Sequence, residues 1–322
     1  MDPGTAMGPD PQPQRLVRGA EFLIFSITPP RRDTPPDKLA RTAAATLQRV
    51  HGLPVDALAL YDIVEETRRN GHVRPYPFQE SLDPGDYLVN YLTGWSAPTI
   101  VYRCVGKYSA AELTDWLTSA SSNVATVFVG ASSADEPVRT TLADAHALKA
   151  RVRPDMPLGG VAIPERHRRR GNEDARLIAK QAAGCGFFIT QIVYDLSATK
   201  DLASDYAYRC DGEGIEPAPL IFTLSLCGSL KTLEFLEWLG VDVPRWLRNE
   251  LVHANDPLGV SLEHSLDAAR ELAEFSRHLG LPFGFNVESV SNRRVEIEAA
   301  TELTRLVAEE VLGRPLEYLT SG

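Results

Sequence analysis

Short apolar runs alternate along this chain with longer stretches whose apolar positions recur every three or four residues. The clearest pair is Gly160 to Ile163 and Phe187 to Tyr194, separated by about 22 residues of helical pattern. Runs this short, rich in Val, Ile and Phe, read as buried parallel strands, and the stretch between them reads as a crossover helix. The same rhythm begins at Phe22 to Ile27, which is stopped by Thr28, Pro29 and Pro30 and followed by helical spacing over Asp37 to Val50. Further strands are predicted at Ala57 to Val64, Thr99 to Val105, Val124 to Val129, Pro219 to Leu224 and Phe283 to Val287. Between them fall helices near Pro84 to Leu92, from a Ser109 cap to Ala120, over Thr141 to Lys149 and over Lys200 to Arg209. Four more are predicted near Leu230 to Leu239, Pro244 to His253, Leu262 to His278 and Arg294 to Leu312. Glu112, three residues after Ser109, completes a capping-box signature.

Eight strand-and-helix alternations in about 290 residues predict a (β/α)8 TIM barrel. A doubly wound open sheet is the alternative, although no GxGxxG follows any strand, as a dinucleotide-binding sheet of that kind would require. Residues 1–19 are rich in Pro, Gly and Gln without periodicity and read as a disordered leader, leaving 20–322 as one barrel domain. In a parallel barrel the carboxyl ends of the strands carry the chemistry. That directs attention to Glu165, Arg166 and His167 after the fifth strand, and to Gln191 and Asp195 in and after the sixth.

Composition narrows the partners. The chain has 322 residues and a formal net charge of -10, which argues against a nucleic-acid surface. No apolar run approaches the roughly 18 to 20 residues of a membrane span, and the first residues show no apolar signal core, so a cytoplasmic protein is expected. Four widely spaced cysteines without a CxxC pair fit reduced thiols, and no metal-ligand spacing is present.

Once the strand ends are set out, the chain resembles the 5,10-methylenetetrahydrofolate reductase family. The first-strand signature appears as FSITPPR, Phe25 to Arg31, and the family's Pro-Glu-x-His as Pro164, Glu165, Arg166 and His167. Lys180 stands eleven residues before Gln191 of a Thr-Gln pair, as in the family's sixth strand. The stretch Pro219 to Leu247, with its Val-x-x-Pro-x-Trp turn, and FGFNVES, Phe283 to Ser289, occupy the family's seventh- and eighth-strand positions. The likeness spans about residues 20 to 312. Two departures accompany it. Ser26 stands where flavin-bearing members have a proton-donating Glu, and Val129, Gly130 and Ala131 replace an Arg-Gly-Asp whose Asp lies beside flavin and pterin.

The resemblance implies NAD(P)H-dependent reduction of 5,10-methylenetetrahydrofolate to 5-methyltetrahydrofolate, in one-carbon and methionine metabolism. It also implies FAD, although Ala131 removes the flavin-side carboxylate. Protonation of a leaving nitrogen needs a general acid with a raised pKa. Ser26 cannot serve; the candidates are Glu66, Glu165, His167 and Glu288, and Glu66, matched to a strand-two Glu of atypical members, is the favoured donor, with a solvated loop beside Arg68 and Arg69 as its alternative. Gln191 suits the amidine-like edge of a pterin, as a catalytic and substrate-binding residue. Ser26, Leu230 and Glu288 are further substrate-side positions by the same resemblance. His167, Glu173, Arg176 and Lys180 match flavin contacts, while their i, i+3, i+7 helical spacing from Glu173 to Lys180 also describes an ion-paired surface. Two other readings stay open: a folate-binding, one-carbon-handling protein without reductase activity, serving demethylation or specialised metabolism, and a non-catalytic barrel subunit.

Overall fold

The computed structural model describes residues 21–65, 74–130 and 138–314. The expected leader, Glu66 and Ala131 lie outside these described residues. Eight strands occur in chain order: β1 (Phe22–Ile27), β2 (Ala57–Leu60), β3 (Thr99–Cys104), β4 (Val124–Val129), β5 (Leu158–Ala162), β6 (Phe187–Ile192), β7 (Leu220–Ser225) and β8 (Phe283–Glu288). Each pairs in parallel with the next, and β8 returns to β1 with Ser26 opposite Glu288. The ring is closed, so the fold is the (β/α)8 barrel and not the open sheet. Around it run α1 (Pro36–His51), α2 (Pro84–Tyr91), α3 (Ala110–Ser119), α4 (Leu142–Val152), α5 (Pro164–Arg170), α6 (Glu173–Ala182), α7 (Leu196–Glu213), α8 (Leu230–Trp238), α9 (Arg245–His253), α10 (Pro257–Leu279) and α11 (Arg294–Leu306).

Local chemistry explains where these elements start and stop. The capping box at α3 forms as expected: the Ser109 amide donates to Glu112 Oε2 at 2.7 Å and the Glu112 amide to Ser109 Oγ at 3.3 Å. The single crossover predicted between β5 and β6 is two helices. Gly171, in the left-handed region at φ 61°, ends α5, and Glu173 restarts the chain as α6. Strand β2 stops earlier than its apolar pattern suggests because Asp62 turns inward. Its carboxylate accepts from the Cys104 amide at 2.8 Å, Tyr108 OH at 2.9 Å and Lys107 Nζ at 2.5 Å. Next to it the buried Arg103 pairs with Asp83, with its guanidinium 4.2 Å from the Trp116 ring centre. This network pins the loop that follows β2 against β3.

Alternation along each strand sends every second side chain into the barrel. The lower interior is apolar, filled by Phe22, Ile24, Ile100, Val127, Phe187, Ile189 and Ile221 among the small Ala57, Ala59 and Ala125. Two glycines allow close approach of the two phenylalanines, Gly159 to the Phe187 ring and Gly284 to Phe22 Cβ and backbone. A Cβ on Gly159 would lie 2.3 Å from Phe187 Cε2, and one on Gly284 would lie 2.7 Å from Phe22 Cβ. Gly159→Ala should therefore destabilise the barrel by about 1–3 kcal/mol, the usual cost of overpacking a filled core. The measurement is a denaturant midpoint that falls at unchanged slope; an unaltered midpoint would show that the interior has slack.

Candidate functional site

The same alternation that fills the barrel base with apolar groups brings polar ones to its carboxyl-end mouth. Ser26 of β1, Thr223 of β7 and Asn286 and Glu288 of β8 are buried there, beside Tyr61 just past β2 and Tyr102 of β3. They form a directed chain of hydrogen bonds. Ser26 Oγ donates to Asn286 Oδ1 at 2.5 Å, and Asn286 Nδ2 donates to Tyr61 OH at 2.9 Å and Thr223 Oγ1 at 3.2 Å. Thr223 passes its own proton to the Thr190 carbonyl at 2.8 Å. Tyr61 in turn is hydrogen-bonded to Glu288, and the Tyr61 and Tyr102 rings meet edge to face with centroids 4.7 Å apart.

Glu288 is the ionisable centre of this chain. Burial pushes its carboxyl up to about 7, and the Tyr61 hydrogen bond pulls only weakly the other way. The phenols of Tyr61 and Tyr102 are driven upward, by burial first and by the neighbouring Glu288 charge second, so both remain neutral donors. A carboxyl titrating near neutrality inside an otherwise neutral polar layer can accept from a paired donor edge of a ligand or exchange a proton with it.

The expected site residues separate into those that join this layer and those that do not. Ser26 and Glu288 are part of it. Leu230 opens α8 behind the Ser229 cap and is 52% exposed, outside the hydrogen-bonded chain. Gln191 spends its amide on the backbone: Nε2 donates to the Leu239 carbonyl at 3.1 Å and Oε1 accepts from the Ile192 amide at 3.1 Å. It thereby holds the turn after α8 down onto β6. His167 is buried between α6 and α7, with Nε2 3.0 Å from Asp205 Oδ2 and Nδ1 3.7 Å from Asp174 Oδ1. Glu173 is fully buried and surrounded by Arg166 at 3.0 Å, Arg176 at 3.2 Å and Lys180 at 3.8 Å, while Lys180 also donates to the Val161 carbonyl. The positions matched to flavin contacts thus neutralise one another against β5, as the ion-pair reading of their spacing describes. Among the described residues no group of three or more His, Cys, Asp or Glu side chains is placed to hold a metal ion, and no helix is long and apolar enough to cross a membrane.

Sequence reading passed over Tyr61, Tyr102, Thr223 and Asn286, although a signal existed. Asn286 and Glu288 share strand parity with Gly284, and Thr223 shares it with Ile221, so polar residues fall on the inward side of otherwise apolar runs. Glu165, one of the strand-end groups singled out from the sequence, is a second perturbed carboxyl: at the start of α5 it is 4% exposed, with Oε2 lacking a hydrogen-bond partner among the described residues, and its pKa is pushed up to about 7 by burial.

Fold and mouth together define a class: a parallel eight-stranded barrel whose carboxyl-end opening buries a carboxyl among hydroxyl and amide groups. Within that class the chain is 40% identical to an uncharacterized protein from Clostridium thermocellum that binds two copies of 5-methyl-5,6,7,8-tetrahydrofolic acid. The match covers 91% of this chain and 96% of that one, with a TM-score of 0.81, and the chain belongs to that protein's family. A Xanthomonas albilineans dihydropteroate synthase is similar at 13% identity over 92% of this chain and 94% of that one, with a TM-score of 0.47. The xylanase XynB of Paenibacillus barcinonensis follows at 10% identity over 88% of each chain, with a TM-score of 0.48. Likenesses so distant bear on no function. No family model and no curated protein matches the sequence.

This corrects the resemblance to the methylenetetrahydrofolate reductase family. The end-to-end likeness is instead to the C. thermocellum protein that binds 5-methyl-5,6,7,8-tetrahydrofolic acid. In three dimensions His167 pairs with Asp205, and Lys180 and Gln191 donate to the Val161 and Leu239 carbonyls.

The two raised carboxyls make a stability prediction. A group whose folded pKa lies above its unfolded value holds its proton more tightly when folded, so its stabilising contribution is full below about 4.5 and is lost as pH rises through about 7. Each can contribute up to roughly 3 kcal/mol of this dependence. Glu165→Gln should flatten the loss of stability of the ligand-free protein between pH 5 and pH 8, read as a difference from the unaltered protein in urea titrations. Identical pH slopes for the two proteins would contradict the placement of Glu165.

Proposed function

We propose that the protein binds a reduced folate of the 5-methyltetrahydrofolate type at the barrel mouth, as a folate-binding, one-carbon-handling protein. The observation that carries this reading is the 40% identity, over nearly the full length of both chains, to a protein that binds that compound. The mouth supports it chemically. A pterin edge presents an amidine-like pair of N–H donors, and Glu288 is an acceptor of the right kind, oriented by Tyr61 and buried where a charge-assisted hydrogen bond is strong. Asn286 and Tyr61 add amide and hydroxyl groups, and the Tyr102 ring supplies a flat wall. This is the second of the readings open from sequence, and it requires neither nicotinamide nor flavin.

Two tests follow from the carboxylate's part. Glu288→Gln keeps the shape but loses the charge, and should weaken 5-methyltetrahydrofolate binding by at least tenfold in calorimetric titration, the scale of a hydrogen bond to a charged group. Only the ionised form accepts both donors, so affinity should fall as pH drops below about 7, by up to tenfold per pH unit, and that slope should vanish in the variant. Unchanged affinity in Glu288→Gln would remove the mouth from the binding site. The C. thermocellum relative holds two copies of its ligand, whereas the mouth offers one such carboxylate among the described residues, so a second site is to be sought in this chain.

A further inference from the structure

A cleft of about 1200 Å³ opens beside the mouth, between the chain leaving β6, the end of α8, the turn into α9, and α10. It is somewhat larger than the range of about 300–1,000 Å³ usual for small-molecule sites, roomy enough for an elongated ligand. One wall is aromatic. The Tyr194 and His264 rings stack with centroids 5.7 Å apart and planes 25° from parallel, and Trp246 meets His264 edge-on at 5.8 Å. Trp246 is 60% exposed, unusual for so large an apolar surface in a concave place. His264 Nε2 is buried without a hydrogen-bond partner among the described residues, and burial lowers the pKa of the ring, so it is held neutral.

The charged groups of the cleft divide in the same way. Asp195 is held by Arg168, and Asp242 by Arg169 at 3.0 Å. Arg245, beside Trp246, lines the cleft without an ion pair among the described residues, as do Asp201 and Glu234 opposite. One exposed indole backed by a partly buried imidazole, one unengaged guanidinium and two unengaged carboxylates suit an elongated ligand with a donor-rich heterocycle at one end and carboxylates at the other.

We propose that this cleft is a second reduced-folate site, in which a ring of the ligand lies against Trp246 and His264 and its glutamate carboxylates meet Arg245. The proposal rests on the folate reading above for the identity of the ligand, while the location stands on the cleft's own geometry. It places the two ligands on separate elements: one within the strands of the barrel, the other on the helices that follow β6 and β7.

The test counts sites on the full chain by calorimetric titration with 5-methyltetrahydrofolate, and follows tryptophan fluorescence. Two sites per chain are expected. Trp246→Ala, at an exposed position, should leave one, and Arg245→Gln should weaken one of the two by fivefold or more. Glu288→Gln should retain the site whose binding quenches Trp246. A single site that survives both Trp246→Ala and Arg245→Gln but is weakened by Glu288→Gln overturns the cleft proposal and leaves the mouth reading standing. Binding that Trp246→Ala abolishes while Glu288→Gln leaves it intact supports the cleft and overturns the mouth. Absence of binding in the unaltered protein overturns both.

Discussion

A closed ring of eight parallel strands has a fixed interior, and filling it without strain is the constraint on which the rest of this molecule depends. The filling is uneven. Phe22 and Phe187 take large volumes: Gly159 presents no side chain where the Phe187 ring lies, and Gly284 none where Phe22 Cβ and backbone pass. With the base occupied by apolar groups, the inward positions nearest the carboxyl ends are the ones left for polar chemistry. Ser26, Tyr61, Tyr102, Thr223, Asn286 and Glu288 stand above that plug.

The electrostatics of the mouth follow from that arrangement. A carboxyl placed over an apolar plug, with neutral hydroxyl and amide neighbours and no cation beside it among the described residues, has its pKa raised by burial toward 7. The contrast with Glu173 is instructive. That carboxylate is buried still more completely, yet Arg166, Arg176 and Lys180 surround it. One carboxylate is kept as structure and the other is left available, and the difference lies in their partners rather than in their depth.

The β5 to β6 side shows how a motif can mislead. Glu165, His167, Lys180 and Gln191 occur at spacings that suggest a cofactor cradle, but the spacing arises from the barrel itself. A helix that crosses from one strand to the next turns a residue toward the strand every three or four positions, and a polar residue there finds a backbone carbonyl or an opposite charge. Lys180 reaches the Val161 carbonyl, and Gln191 ties down the Leu239 carbonyl. That tie helps position the turn from which Arg245 and Trp246 enter the neighbouring cleft.

The sequence alone determined the eight alternations, most strand positions, the Ser109 capping box and the acidic balance, because these depend on local periodicity and on neighbours within a few residues. Ser26 and Glu288 could be placed near the strand ends for the same reason. Tertiary structure decided closure, since only the pairing of β8 with β1 separates a barrel from an open sheet. It also decided that Gln191 serves the backbone, that His167 faces Asp205, and that Tyr61, Asn286 and Glu288 form one hydrogen-bonded chain. Those facts join residues more than 200 positions apart, as the Asn286 to Tyr61 bond does, and no periodicity along the chain encodes which distant partner a polar side chain will meet.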